Sequence, residues 1–301
     1  MIKGLKENIV LTKQICCSGY LPRKVDGHKG TFGKVLIMAG SEAYPGAGIM
    51  AANGALRSGA GIVTLALPET LRGSLPFFIS PEIILRYFPA KDGGFYLSKS
   101  QAVGLCSGYN AVLVGCGWGK GESRLECLRN ISDACENVLV LDADALNTIA
   151  EHKAFDVLDK CNAKTIITPH IAEFTRLLQS TSLDLEINNR INLAEEFARK
   201  HRTILVQKSS STIITDSKNT YVNDLYNSGL AKGGSGDLLA GLIVGIASSR
   251  QCKNSMWAAM LGVYLHSRAG LLAKNALTEN GMTISDVANF IPAAWKEFLK
   301  D

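Results

Sequence analysis

The chain has 301 residues, 47% hydrophobic and 20% charged, enough for one large core and ordinary for a soluble globular protein. Its formal charge of +5 and pI near 8.7 come from basic residues dispersed along the chain, which argues against a nucleic-acid partner and suits small anionic ligands. The eight cysteines form no CxxC pair, so neither a zinc site nor a redox motif is indicated.

The N-terminal MIKGLKENIV lacks an apolar stretch of signal length, and the longest apolar run, 238–247, contains two glycines and is too short to span a bilayer. A cytoplasmic location and no membrane partner are therefore expected. Short runs rich in Val, Ile and Leu predict strands over 34–39, 61–67, 111–114, 137–142, 164–168 and 203–207. Between them, helical patterns run over 46–58, 122–134, 145–150, 171–178 and 185–201. This alternation implies an α/β fold whose mostly parallel sheet is covered by helices on both faces. After Lys208 the pattern changes to a hairpin, 212–215 and 220–223 around the turn 216–219. A helix-rich C-terminus follows, in which Trp257, Met260, Leu261, Tyr264 and Leu265 share one face as core packing. No linker or internal repeat divides the chain, so one domain over 1–301 is expected, with residues 1–27 packed on it.

Ligands of open α/β sheets bind beyond the carboxyl ends of strands, near the reversal of strand order. Polar and glycine-rich clusters fall there: VGCGWG at 114–119, LDADALN at 141–147 and TPHIAEF at 168–174. The strongest local signal is GGSGD at 233–237, which opens an apolar helix. Gly233, Gly234, Ser235 and Gly236 let backbone amides approach an anion, and the helix dipole adds to the attraction. Asp237 on the first turn either caps the helix or acts as a general base beside a phosphate loop. The loop is not a Walker A motif, because Lys232 precedes the glycines, and VGCGWG lacks the GxGxxG spacing of a dinucleotide fingerprint. Asp142 and Asp144 end a strand, where Asp144 caps the next helix or both carboxylates hold a nucleotide-borne Mg²⁺ through water. His170 follows Pro169 at a strand end as a ligand contact, and Glu173 either closes a cap or orders Mg²⁺-bound water. Together these predict an enzyme that uses a nucleotide polyphosphate on a small phosphate-bearing substrate.

Five segments in order, HKGTFGKVLIMAGS (28–41), PGAGIMAANGALRSGAG (45–61), LDADALN, TPHIAEF and GLAKGGSGDLLAG (229–241), resemble the ADP/ATP-dependent NAD(P)H-hydrate dehydratases. The resemblance implies a ribokinase-like three-layer sandwich and a homo-oligomer, with a tetramer expected. It implies a reaction in which hydrated NADH or NADPH loses water while a nucleotide loses its terminal phosphate, ADP being the co-substrate of bacterial-type members and ATP that of eukaryotic ones. By position, Ala47, Gly117 and His170 resemble the contacts to the hydrated dinucleotide, and Asp237 the group facing the reacting hydroxyl. Lys208, Ser209, Ser210, Ser211, Thr212 and Gly236 resemble the nucleotide-binding positions.

Two departures stand out. Ser209 replaces the glycine of a KGxxT pattern, and GCGWG replaces GPGLG, bringing in Cys116 and Trp118. Neither is expected to touch Asp237, so nucleotide affinity should change before chemistry. Two alternatives share the glycine loop: a sugar or vitamin-precursor kinase of the same superfamily, and a silent nucleotide sensor.

Overall fold

A computed structural model of the chain describes residues 9–75, 79–181, 183, 189–249 and 251–300. Its strands and helices in chain order begin with β1 (Ile9–Val10), α1 (Lys13–Gly19), β2 (Lys34–Met38), α2 (Pro45–Arg57), β3 (Ile62–Pro68) and β4 (Ile84–Phe88). There follow β5 (Ala90–Lys91), β6 (Gly94–Phe95), α3 (Lys99–Cys106), β7 (Ala111–Val114), α4 (Ser123–Ala134), β8 (Val138–Leu141), α5 (Asp144–His152) and α6 (Asp156–Asp159). The remainder are β9 (Lys164–Ile167), α7 (Ile171–Ser180), α8 (Arg190–Lys200), β10 (Ile204–Gln207), β11 (Thr212–Thr215), β12 (Thr220–Asn223), α9 (Ser235–Ser248), α10 (Ser255–Gly281) and α11 (Ile284–Leu299). The predicted start of α8 at 185 lies outside the described residues.

The main sheet runs β1-β12-β11-β10-β9-β8-β7-β2-β3-β4, antiparallel only around β11. Side chains alternate across it. Val35, Ile37, Leu113, Val140, Ile166 and Val206 enter one core with α2, α9, α10 and α11. Leu36, Met38, Val112, Leu139, Ile167 and Leu205 enter another, beneath α3 to α8. Strands buried on both faces must be apolar at every position, which is why they read as unbroken runs. Among the described residues no helix is long and apolar enough to cross a membrane.

Strand order reverses between β2 and β7. From β2 the chain builds outward through β3 and β4, and from β7 it builds the other way through β8, β9 and β10. The carboxyl ends of β2 and β7 therefore splay their loops apart and open a crevice between them. One wall is α2, whose start is set by Pro45 at its first position, where the missing N–H costs nothing. The helix α9 lies directly against α2. A Cβ on Gly54 would come within 2.3 Å of the Leu238 carbonyl oxygen, and one on Gly241 within 2.0 Å of that of Ala51. Backbone touches backbone along this seam.

Candidate active site

Two cavities meet at the first turn of α9. The first, about 590 Å³, lies over the β2/β7 reversal and is lined by Ser41, Tyr44, Ala47, Gly117, Asp144 and Asp237, among others. The second, about 670 Å³, is lined by His170, Lys208, Ser209, Ser210, Thr212 and Gly236, with an apolar wall from Tyr226, Leu239 and Val263. The structure brings Ala47 and Gly117 together, since a Cβ on Gly117 would stand 2.5 Å from that of Ala47. His170 lies on the other cavity, with the residues matched to the nucleotide. Ser211, Gly233 and Gly234 line neither cavity.

Gly234 is the N-cap of α9 at φ 91°, a left-handed conformation that favours glycine, and no side chain caps this end. Asp237 therefore does not cap α9, leaving its carboxylate to the first cavity. Gly236 is small for a different reason: a Cβ there would meet the Lys208 ammonium at 2.9 Å. The first-turn amides of α9 have no partner within the helix, and they lie beside Lys208.

Lys208 directly follows β10, and its backbone N–H donates to the carbonyl of Pro169, just past β9, at 2.8 Å. Its ammonium donates to Asp142 Oδ1 at 2.6 Å, and Asp142 is 1% exposed. Burial works against the ammonium, but the charges of Asp142 and Glu173 outweigh it, and the lysine pKa is raised. Asp237 is pushed up to about 6, first by burial and then by Asp142. Glu173 is pushed up to about 7 by burial, against the pull of Lys208.

Asp144 does not cap α5. It is the first residue of α5, behind the N-cap Ala143, and its Oδ2 accepts from the Gly119 amide at 2.8 Å. A sequence cannot show this, because the amide sits 25 residues away.

His170 is the N-cap of α7. Its Nδ1 accepts from the amides of Ala172 and Glu173 at 3.1 and 3.3 Å, and Glu173 Oε2 accepts from the His170 amide at 2.8 Å. Nδ1 as acceptor puts the ring proton on Nε2. Burial and the nearby Lys208 lower the His170 pKa, which favours the neutral ring. Replacing His170 with Ala is expected to cost about 0.5–2 kcal/mol through the lost cap. Thermal unfolding checks this, and His170→Asn, which still caps, should recover most of the loss.

Neither departure at the loops behaves as a simple loss. The turn after Lys208 needs no positive φ at Ser209. Instead Ser209 Oγ donates to the Ser211 carbonyl at 2.6 Å and accepts from Arg190 Nη2 at 2.8 Å. Trp118 is buried away from the cavities, stacked on Phe95 at 4.9 Å with its indole N–H on the Phe95 carbonyl. Cys116 lies closer to the site, its Sγ donating to Asp142 Oδ2 at 3.7 Å. Its Sγ, an Asp142 oxygen and an Asp237 oxygen all lie within 4.8 Å of one another.

The site also holds residues that sequence reasoning missed. His266 on α10 is buried, its Nε2 is 3.4 Å from Ser235 Oγ, and burial holds its pKa down to about 4. A polar ring on an otherwise apolar helix face was the available signal. Tyr44 stands exposed at the lip of the first cavity and Tyr226 at that of the second, where loop aromatics give no periodic pattern to read.

The sequence profile of the NAD(P)H-hydrate dehydratases matches residues 35–293. A bifunctional NAD(P)H-hydrate repair enzyme of Moorella thermoacetica is 33% identical over 281 residues, 92% of this chain but 52% of the relative. The chain thus spans about half the length of that relative. The ADP-dependent (S)-NAD(P)H-hydrate dehydratase of Neisseria meningitidis is 31% identical, over 90% of this chain and 87% of the relative. The crystal structure of the Bacillus subtilis ADP/ATP-dependent NAD(P)H-hydrate dehydratase, co-crystallised with ATP/Mg²⁺, superposes with a TM-score of 0.82 at 27% identity, covering 98% of this chain and all of the other. With a sheet reversing at β2/β7, a glycine-opened helix beside it and a profile match across both, the chain belongs to the NAD(P)H-hydrate dehydratase family and has its ribokinase-like fold.

Proposed function

We propose that this chain dehydrates hydrated NADH and NADPH, coupling the loss of water to cleavage of the terminal phosphate of ADP. What supports this above all is the junction of two cavities at consecutive residues, Gly236 facing one and Asp237 the other. A nucleotide along Lys208, Ser209, Ser210, Thr212 and Gly236 would bring its terminal phosphate to the start of α9, with Ser211 closing the turn behind it. Gly233, Gly234 and Ser235 would shape the loop that presents the amides of Gly236 and Asp237. A hydrated dinucleotide lying on Ala47 and Gly117 would bring its ring hydroxyl to Asp237.

Hydroxide is a poor leaving group, and phosphorylation corrects that. Asp237 takes the hydroxyl proton as the oxygen forms its bond to the terminal phosphorus, and the bond from phosphorus to the AMP oxygen breaks. The ring nitrogen lone pair then expels phosphate. Loss of a proton from the adjacent ring carbon restores the dihydropyridine. Lys208 and the first-turn amides of α9 carry the charge that builds on the transferring group.

Mg²⁺ accompanies the nucleotide in this reading and neutralises phosphate charge. Asp142, Asp144 and Glu173 each have both oxygens engaged by protein partners. They therefore fit a metal through its water and not as direct ligands. His170, on the cavity given to the nucleotide, would turn its Nε2–H from Glu173 Oε1, 3.3 Å away, to the nucleotide. His170→Asn, which keeps the cap, is expected to weaken nucleotide binding with little change in unfolding temperature, as calorimetric titration would show.

The deciding assay supplies hydrated NADH with ADP or ATP and follows recovery of the reduced-nicotinamide absorbance. ADP should give the higher initial rate at matched subsaturating concentrations. Chelation should abolish the recovery and added Mg²⁺ restore it. Full turnover with no nucleotide present, or transfer of phosphate to a sugar or vitamin-precursor alcohol instead, overturns the proposal.

A further inference from the structure

The turn after β10 brings Ser209, Ser210 and Thr212 to the second cavity. Strands fix its two ends, where the Lys208 amide bonds to the Pro169 carbonyl and Thr212 pairs with Asn223 of β12. Residues 209–211 between them belong to no strand. Ser209 Oγ gathers this stretch, accepting from the Ser211 amide at 3.1 Å and donating to the Ser211 carbonyl at 2.6 Å. Arg190 reaches the same two residues from outside the turn. Its Nη2 donates to Ser209 Oγ at 2.8 Å and also to the Ser211 carbonyl.

Arg190 opens α8, and that helix is a firm base. The Asn189 side chain caps it through the amides of Ile191 and Asn192. Ala194 and Phe197 are fully buried in the core shared with Leu205 and Ile213, and Glu195 Oε1 accepts from the Thr220 hydroxyl at 2.5 Å. A guanidinium is planar and presents its donors in a fixed fork, so the groups it grips are held in one geometry. Its charge makes each such bond roughly twice as strong as a neutral one. The serine at 209 adds a handle here, because glycine in its place would leave Arg190 the Ser211 carbonyl alone.

We propose that Arg190 is a positioning residue for the nucleotide, holding residues 209–211 through Ser209 and Ser211 in the shape they present to the second cavity. Arg190 itself lines neither cavity. The free energy of ordering loose backbone on binding is lost from affinity, so a turn formed in advance binds more tightly than a mobile one with the same contacts. This rests on the reading of the second cavity as the nucleotide site.

Two measurements on the full-length protein test it. In the first, ADP with Mg²⁺ is titrated calorimetrically. Arg190→Met, which keeps an apolar stem without donors, should weaken ADP binding roughly tenfold, near the low end for hydrogen bonds to charged groups. The KM for ADP should rise in step, while kcat at saturating ADP and the KM for hydrated NADH stay at wild-type values. Arg190→Lys, which keeps a charged donor, should recover part of the loss. Ser209→Ala removes one bond from its other end and should weaken ADP binding less, because Arg190 keeps Ser211. In the double variant the two losses should overlap, since both act on one turn. Losses that multiply mean that Arg190 acts on the nucleotide by another route, and they overturn the proposal. In the second measurement, hydrogen exchange is followed without nucleotide. The amides of residues 209–211 should exchange faster in Arg190→Met than in wild type, and equal rates there overturn the proposal. A wild type that binds ADP beside an Arg190→Met variant that binds it equally well overturns this proposal alone. A wild type that binds neither ADP nor ATP overturns the reading of the cavity and this proposal with it.

Discussion

Asp237→Asn is expected to keep both ligands bound and lower turnover by about 10²- to 10⁴-fold, the usual contribution of a general base. The replacement preserves size, and α9 loses no cap because Gly234 occupies that position without side-chain help. Calorimetric titration and the recovery assay on one preparation separate binding from turnover. Near-normal turnover would remove Asp237 from the chemistry. The pH profile provides a second check. A carboxylate must be ionised to take a proton, and Asp237 is pushed up to about 6. The wild-type rate should therefore fall below about pH 6 and level off above it, and the residual rate of Asp237→Asn should lose that limb. Stability moves the other way. A carboxyl group whose pKa rises on folding binds more protons folded than unfolded, so its contribution declines as pH climbs from the ordinary value of 3.8 toward about 6. Unfolding scans across that window should show the decline in wild type and less of it in the variant.

Lys208→Met should do more damage to the fold. The ammonium is the direct cation partner of Asp142, and both side chains lie deep, 16% and 1% exposed. Removing one member of a buried pair leaves an uncompensated charge and costs about 3–5 kcal/mol. Glu173, already near 7 with Lys208 pulling it down, should become harder still to ionise. Nucleotide binding is expected to vanish with the charge that faces the phosphates. The double variant Lys208→Met with Asp142→Asn should recover much of the unfolding temperature and none of the nucleotide binding. If it recovers neither, Lys208 is needed for packing and not for pairing. Lys208→Arg should be intermediate, because the wider guanidinium has to fit where a Cβ on Gly236 would already come within 2.9 Å of the ammonium.

The strands that organise the site were legible because each is buried on both faces and carries an unbroken apolar run. The edges were not. In β4, Arg86 interrupts the apolar pattern, and its outer side has no neighbour in the sheet. The strands β1, β5 and β6 have two residues each, too few for any period to appear. At the site, Asp237 and the loop before it stood out because three glycines ahead of an apolar helix are unusual chemistry in a local window. Asp144 and Cys116 have partners that no local window shows. Their partners lie 25 and 26 residues away at least, and only the sheet register brings them together. His170 was read as a ligand contact, and its cap on α7 was missed because a histidine seldom stands at an N-cap, although Glu173 three residues on was read as able to close one.

The seam between α2 and α9 bears on where useful variation in this protein will be found. One helix carries Ala47 and the other Asp237, and backbone contacts at Gly54 and Gly241 set how closely the two can approach. The span between Asp237 and the wall at Ala47 is thus a fixed gauge, cut into main chain and indifferent to the identity of any cavity side chain. A methyl group added at either glycine would widen that gauge without touching a ligand. A survey of variants confined to the cavity lining would miss the two positions most able to change the reach of Asp237.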